Sequence, residues 1–327
     1  MKLLITLHHR FELWNAPTWL AERIRSDFPQ LAVVQLPNYD RVTEEIADAE
    51  IYFGWSLRAE QLAATRKLRW VHSTAAAVHQ LMIPELRASN IVVTNARDVH
   101  GPVVAEHAIA VLLALAKRLP SAMRYQQQRV WAQEQLWRES PPPREVVGAT
   151  LLVIGLGSIG QRVATLARAI GMHVIAVREH PEKGSGAAHK VHALEKLDEL
   201  LPGADYVIIA APLTDSSRSL FNADRMAKMR SDAYLINVAR GPIVDEAALA
   251  EALRNQQIAG AALDVFAAEP LPADSPLWKL ENLLITPHTA AISDQMWERH
   301  YALIRENLER YLAGKPLLNV VDKSKGY

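Results

Sequence analysis

A chain of 327 residues, half of them hydrophobic and 22% charged, exceeds what one core usually serves, so two globular domains are expected and long disordered tracts are not. Lysine plus arginine number 36, as do aspartate plus glutamate, so charge gives no reason to expect nucleic acid or a membrane as partner, and small ligands become the default. Cysteine is absent, which excludes disulfides, thiolate nucleophiles and cysteine-ligated zinc.

In chain order, the apolar run at residues 3–7 is broken at once by His8-His9-Arg10, too short for a secretory core. The longest wholly apolar run, residues 108–116, falls short of the roughly 18 to 20 residues of a membrane span, and a cytoplasmic protein is expected. Up to about residue 98, short apolar runs (3–7, 33–34, 51–53, 70–71, 91–93) alternate with helix-like segments, which predicts parallel strands joined by right-handed crossovers. No glycine-rich phosphate loop occurs here, so this layer is expected to supply substrate contacts. In Ser73-Thr74-Ala75-Ala76-Ala77 small residues would leave backbone N–H groups open to an anion, with a plain strand-to-helix loop as the equal alternative. Gly101-Pro102 opens a helix to about residue 118 that is apolar on more than one face, interrupted by Glu106 and His107, and expected to be buried either between the domains or in a subunit contact. Residues 125–137 carry several glutamines and two tryptophans and precede Pro141-Pro142-Pro143; an arm and a homodimer are expected.

The strongest local signal is Leu151-Leu152-Val153-Ile154-Gly155-Leu156-Gly157-Ser158-Ile159-Gly160. It reads as a buried strand, a Gly-x-Gly-x-x-Gly turn and the start of a helix with Val163, Leu166 and Ile170 at helical spacing. Gly155 would permit the turn, Gly157 the approach of a pyrophosphate and Gly160 close helix packing, with phosphates meeting free N–H groups at the helix start. Apolar runs at 174–177, 206–210, 234–238, 261–265 and 283–285 follow, which makes six strands of a doubly wound α/β sheet. A helix capped by Asp245 is expected to run to Arg254. Another, after residue 290, carries Trp297, Tyr301, Ile304 and Leu308 on one stripe, stops near Gly314 and should return to the first domain.

Ligands of such sheets bind beyond the carboxyl ends of the strands, and three polar residues sit there: Arg240, Glu269 and His288. They are what reduction of a 2-keto acid needs. Arginine clamps the carboxylate in a bidentate fork, histidine protonates the carbonyl oxygen, and a carboxylate fixes the histidine's tautomer and favours its charged form. The alternative is an ordinary Arg240–Glu269 ion pair with His288 capping a loop. Most other histidines are expected to be solvated, and His189 with His192 lacks the further ligands a metal would need, so no metal is expected.

These pieces are similar to the D-isomer-specific 2-hydroxyacid dehydrogenases over nearly the whole chain. The matching stretches are Val104-Ala105-Glu106-His107, residues 153–160, Asn237-Val238-Ala239-Arg240-Gly241, Ala262-Leu263-Asp264-Val265-Phe266 with Glu269-Pro270-Leu271, and Thr286-Pro287-His288-Thr289-Ala290. The resemblance implies an NAD(P)-dependent dehydrogenase, with a Rossmann-like doubly wound dinucleotide domain at 99–289. A flavodoxin-like α/β substrate domain would be built from 1–98 and 290–327, and the assembly would be dimeric. It implies that Arg240 binds the substrate, that His288 is the acid/base and that Glu269 is its partner. Asp264 would meet the nicotinamide carboxamide, Gly155, Gly157, Ser158, Ile159, Gly160 and Pro212 would line the cofactor, and Ala76 and Ala77 would hold the substrate carboxylate.

Three departures stand out. Arg178 replaces the acidic residue of NAD-preferring members; it can pair with a 2′-phosphate, so NADP is expected over NAD. Ala77 stands where many members have glycine, and Ala210 where many have histidine before Pro212. The expected partner is a small 2-keto or 2-hydroxy acid, glyoxylate or hydroxypyruvate being candidates. The alternatives are a dinucleotide-binding regulatory protein with little turnover, or a formate dehydrogenase-like enzyme, against which Glu269 argues.

Overall fold

The apolar runs become strands, and every strand pair runs parallel. The computed structural model describes residues 1–76, 78 and 80–324. These fall into two compact units, Met1–His100 with Ser293–Tyr327, and Gly101–Ile292.

In the first unit β1 (Lys2–Thr6), β2 (Ala32–Gln35), β3 (Ile51–Gly54), β4 (Trp70–Ser73) and β5 (Val92–Asn95) form a sheet in the order β2-β1-β3-β4-β5. Strand alternation sends Leu3, Ile5, Phe53 and Trp70 to one face, where they join Leu20 and Ile24 of the Thr18–Asp27 helix and Tyr301, Ile304 and Leu308 of the Met296–Leu312 helix. Leu4, Tyr52, Val71 and Val93 pack on the other face. The terminal helix thus belongs to this unit, as its stripe of apolar residues predicted.

Two histidines depart from the expectation that most outside the site are solvated. His72 shares the sheet face of Trp70 and is 0% exposed, and His300 is 1% exposed. Each falls at the spacing of its element's buried residues, and that spacing outweighs the polarity of an imidazole. Burial pulls the His72 ring down to about 3 and holds His300 well below its ordinary value, so both are neutral.

The second unit has β6 (Thr150–Ile154), β7 (His173–Val177), β8 (Lys190–His192), β9 (Tyr206–Ile209), β10 (Tyr234–Asn237), β11 (Gly260–Leu263) and β12 (Leu283–Ile285), in the order β12-β11-β10-β9-β6-β7-β8. The sequence predicts six of these. The seventh, β8, is a three-residue edge strand whose polar Lys190 and His192 give no apolar run. The imidazole weighed as a metal ligand there, His189, accepts the Val174 N–H at 3.0 Å and stacks on His173.

Leu151 and Val153 point to one face and Leu152 and Ile154 to the other, each side burying a core in which a leucine contributes about 1.5 to 3 kcal/mol. The helix Gly101–Ala116 lies on the first of these faces against the helix Ser158–Ala169, which accounts for its apolar breadth. After it come the short helices Leu119–Gln127 and Gln133–Trp137. Asp245 caps the Glu246–Arg254 helix by accepting the Ala248 N–H, as expected. No helix among the described residues is long and apolar enough to cross a membrane.

Candidate active site

Strand order in the second unit reverses between β6 and β9, and the crevice beyond their carboxyl ends is where a doubly wound sheet takes a ligand. Gly155 follows β6 at φ +90°, and a Cβ there would lie 2.7 Å from the Ala211 backbone just past β9. A Cβ on Gly160 would strike the Gly155 carbonyl oxygen at 2.0 Å, so the helix starting at Ser158 can approach its strand only without a side chain there. Around Gly157, by contrast, a Cβ would meet nothing within 4 Å. A tight turn, an open approach and free N–H groups at the start of a 12-residue helix suit a pyrophosphate. Ser158 Oγ accepts from Arg162 Nη1 at 2.8 Å, Ile159 packs on the core, and Pro212 lies beyond β9 with its carbonyl held by Ser217 Oγ at 2.8 Å.

Arg178 comes directly after β7, its N–H bonded to the His192 carbonyl at 3.1 Å. Its guanidinium reaches only the Gly184 carbonyl, at 3.4 Å, and no carboxylate among the described residues pairs with it.

The three chemical side chains come together on the same unit. Asn237, fully buried at the end of β10, shapes the turn that presents Arg240, donating to the Arg240 carbonyl at 2.9 Å and accepting the Ala239 N–H at 3.0 Å. Arg240 Nη1 donates to the Ala239 carbonyl at 2.6 Å, and no carboxylate among the described residues lies within ion-pair distance of its guanidinium. Burial pulls that guanidinium below its ordinary value, opposed by the charge of Glu269.

Glu269 instead accepts the Phe266 N–H on Oε1 at 2.9 Å and meets His288 Nδ1 with Oε2 at 2.6 Å. The alternative of an Arg240–Glu269 pair is therefore not what forms. Burial alone would raise the Glu269 carboxyl. The bonds from His288 and Phe266, with the nearby charges of His288 and Arg240, outweigh it and hold the carboxyl below its usual range. An ionised carboxylate only accepts, so Nδ1 carries a proton and Nε2 is the atom left to exchange one with a ligand.

His288 has φ +54°, a left-handed conformation unusual for a residue with a side chain. Its N–H is held by the carbonyls of Asp264 at 2.9 Å and Thr286 at 3.0 Å. The Asp264 carboxylate, 2% exposed, accepts from Thr286 Oγ1 at 2.7 Å, Thr289 N at 2.9 Å and Ala290 N at 3.1 Å. Sequence reasoning assigned no role to Thr286, Asn237 or His107; for His107 the available signal was a polar residue interrupting an apolar helix.

Residues 109–290 match the sequence profile of the D-isomer specific 2-hydroxyacid dehydrogenase NAD-binding domain. The chain belongs to this family. Similar members of the 2-hydroxyacid dehydrogenases include the glyoxylate reductase of Korarchaeum cryptofilum, 34% identical over 274 residues, which span 81% of this chain and 79% of that enzyme. The D-3-phosphoglycerate dehydrogenase of Methanocaldococcus jannaschii is 31% identical over 286 residues, 86% of this chain but 53% of that enzyme. The chain thus spans about half the length of the phosphoglycerate dehydrogenases it matches. The crystal structure of a family member from Xanthobacter autotrophicus, in complex with NADPH and MES, superposes with a TM-score of 0.80 at 31% identity, covering 99% of both chains.

The stretch singled out for a substrate carboxylate follows β4 in the other unit. Ala76 is held there by its carbonyl, which accepts from Asn95 Nδ2 at 2.7 Å. The Ala75 N–H, expected to be open, is already bonded to Ser73 Oγ at 3.1 Å. Ala77 lies outside the described residues.

Proposed function

We propose that the protein reduces a small 2-keto acid to the 2-hydroxy acid of D configuration, and catalyses the reverse oxidation, with NADPH preferred over NADH. The observation that carries this reading is the division among three side chains: Glu269 is bonded to His288, which leaves the shielded Arg240 guanidinium to a ligand's carboxylate.

When bound, the nicotinamide supplies or takes up the hydride at the carbon bearing the oxygen. Arg240 fixes the substrate by its carboxylate in a bidentate fork and orients the carbonyl. His288, anchored through Nδ1, gives the carbonyl oxygen a proton from Nε2, and in oxidation takes it back. Glu269 stabilises the imidazolium. Ala76 and Ala77 are assigned to the substrate, and Asp264 and Pro212 with residues 155–160 to the cofactor. The unpaired Arg178 favours a 2′-phosphate, and the Xanthobacter relative solved with NADPH supports NADP.

Glyoxylate and hydroxypyruvate are the candidate substrates, in keeping with the glyoxylate reductase among the relatives. Formate oxidation fits poorly, since it needs no proton donor. The working unit is a homodimer: Leu119, Met123, Val130, Trp131 and Trp137 are exposed close together in sequence, with Trp131 at 89%, more apolar surface than one short segment usually leaves in water. Sedimentation checks this.

The reading is tested by NADPH and NADH oxidation with glyoxylate, hydroxypyruvate, pyruvate, phenylpyruvate and branched 2-keto acids. Turnover with at least one is expected. Tight dinucleotide binding with no turnover would mark a regulatory dinucleotide-binding protein instead.

A further inference from the structure

The sequence marks His107 as a polar interruption in an apolar helix, and the reaction described above leaves it without a part. It lies on the Gly101–Ala116 helix with its side chain 19% exposed. Its Nε2 is 3.1 Å from Thr286 Oγ1, which in turn is 2.7 Å from Asp264 Oδ1.

The order of protons along this chain follows from what each group can do. A carboxylate only accepts, so the single hydroxyl proton of Thr286 goes to Asp264, and the Thr286 oxygen presents lone pairs to His107. Nε2 of His107 must therefore carry the N–H. The same N–H points toward the carboxylate's charge, with Asp264 Oδ1 at 3.7 Å.

Asp264 closes the loop around His288 on a single residue. Its carboxylate takes Thr286, Thr289 and Ala290, and its backbone carbonyl takes the His288 N–H. That loop must be gripped, because His288 occupies a left-handed conformation that a residue with a side chain keeps only when its surroundings enforce it.

We propose that His107 is a positioning residue for the proton donor: by donating to Thr286 it locks the hydroxyl onto Asp264, and so holds His288 against Glu269 with Nε2 free to meet the substrate. This rests on the reductase reading given above.

The test uses His107→Phe, which fills the space without a donor, His107→Gln, whose amide restores one, and Thr286→Val. His107→Phe and Thr286→Val should each lower kcat about 10- to 100-fold while leaving KM for the keto acid and the NADPH Kd near wild type. The double variant should be no worse than either single, and His107→Gln should recover most of the loss. In ¹⁵N-histidine NMR spectra, His107 should be protonated on Nε2, and the His288 Nδ1–H signal should broaden or move in His107→Phe. Wild-type kcat in His107→Phe, no rescue by His107→Gln, or protonation of His107 on Nδ1 would overturn the proposal. If the wild-type protein reduces no keto acid, the reductase reading fails by itself and the NMR spectra still decide: an unchanged His288 signal in His107→Phe refutes the positioning role.

Discussion

Oε2 of Glu269 lies 2.6 Å from Nδ1 of His288, two side chains 19 residues apart that are brought together at the ends of β11 and β12. Because Glu269 is held below its ordinary range it stays ionised through neutral pH, and its charge favours the protonated imidazole that keto-acid reduction requires. Glu269→Gln keeps an acceptor for the Phe266 N–H and removes the charge. Without that charge beside the imidazole the proton donor is less well supported, so kcat/KM for reduction should fall about 10- to 100-fold at neutral pH. A kcat/KM equal to wild type in Glu269→Gln would show that Glu269 is not the partner that matters.

Arg240 has no carboxylate partner among the described residues, so deleting it should register on the substrate. Arg240→Ala is expected to raise KM and lower kcat together, with kcat/KM down about 30- to 1,000-fold, equivalent to about 2 to 4 kcal/mol. The NADPH Kd should stay near wild type. Steady-state kinetics with a cofactor titration separates this from general damage to the site, which would weaken both ligands.

Arg178 should decide the cofactor. Arg178→Asp exchanges a cation able to pair with a 2′-phosphate for an acceptor of ribose hydroxyls, and the NADPH/NADH ratio of kcat/KM should fall by at least about tenfold. An unchanged ratio would remove Arg178 from the 2′-phosphate site.

The buried imidazoles make a prediction about acid stability. His72 titrates near 3 in the folded protein against about 6.5 unfolded, so the unfolded chain takes up a proton that the native state refuses, and stability falls as pH drops below 6.5. At pH 5 the loss from His72 is about 2 kcal/mol. His300 is shifted in the same direction and adds to it. Thermal unfolding of His72→Phe measured between pH 7.5 and 5 should therefore show a shallower decline than wild type. Parallel curves would mean His72 is protonated in the native state.

The dinucleotide turn was legible because backbone geometry dictates it: Gly155 and Gly160 are required by contacts of 2.7 and 2.0 Å that any side chain would violate, so the requirement is written in residue type and spacing. The strands flanking it announced themselves as unbroken apolar runs, buried on both faces. Arg240 and His288 could be picked out because they follow such runs, and Glu269 because it lies four residues past one. β8 could not be read, since an edge strand is half-paired and needs no apolar sequence. The burial of His72 and His300 was missed because residue type was weighed above position on the sheet and helix. His107 and Thr286 are 179 residues apart, and no local pattern records a hydrogen bond over that span.

The central claim is that His288 hands a proton to the carbonyl oxygen as the hydride arrives, and single-turnover kinetics test it most directly. With NADPH pre-bound and glyoxylate or hydroxypyruvate added, wild-type protein should oxidise the cofactor rapidly, and His288→Ala should bind NADPH as tightly but react about 10²- to 10⁴-fold more slowly. Equal rates of NADPH oxidation in the two proteins would contradict the account.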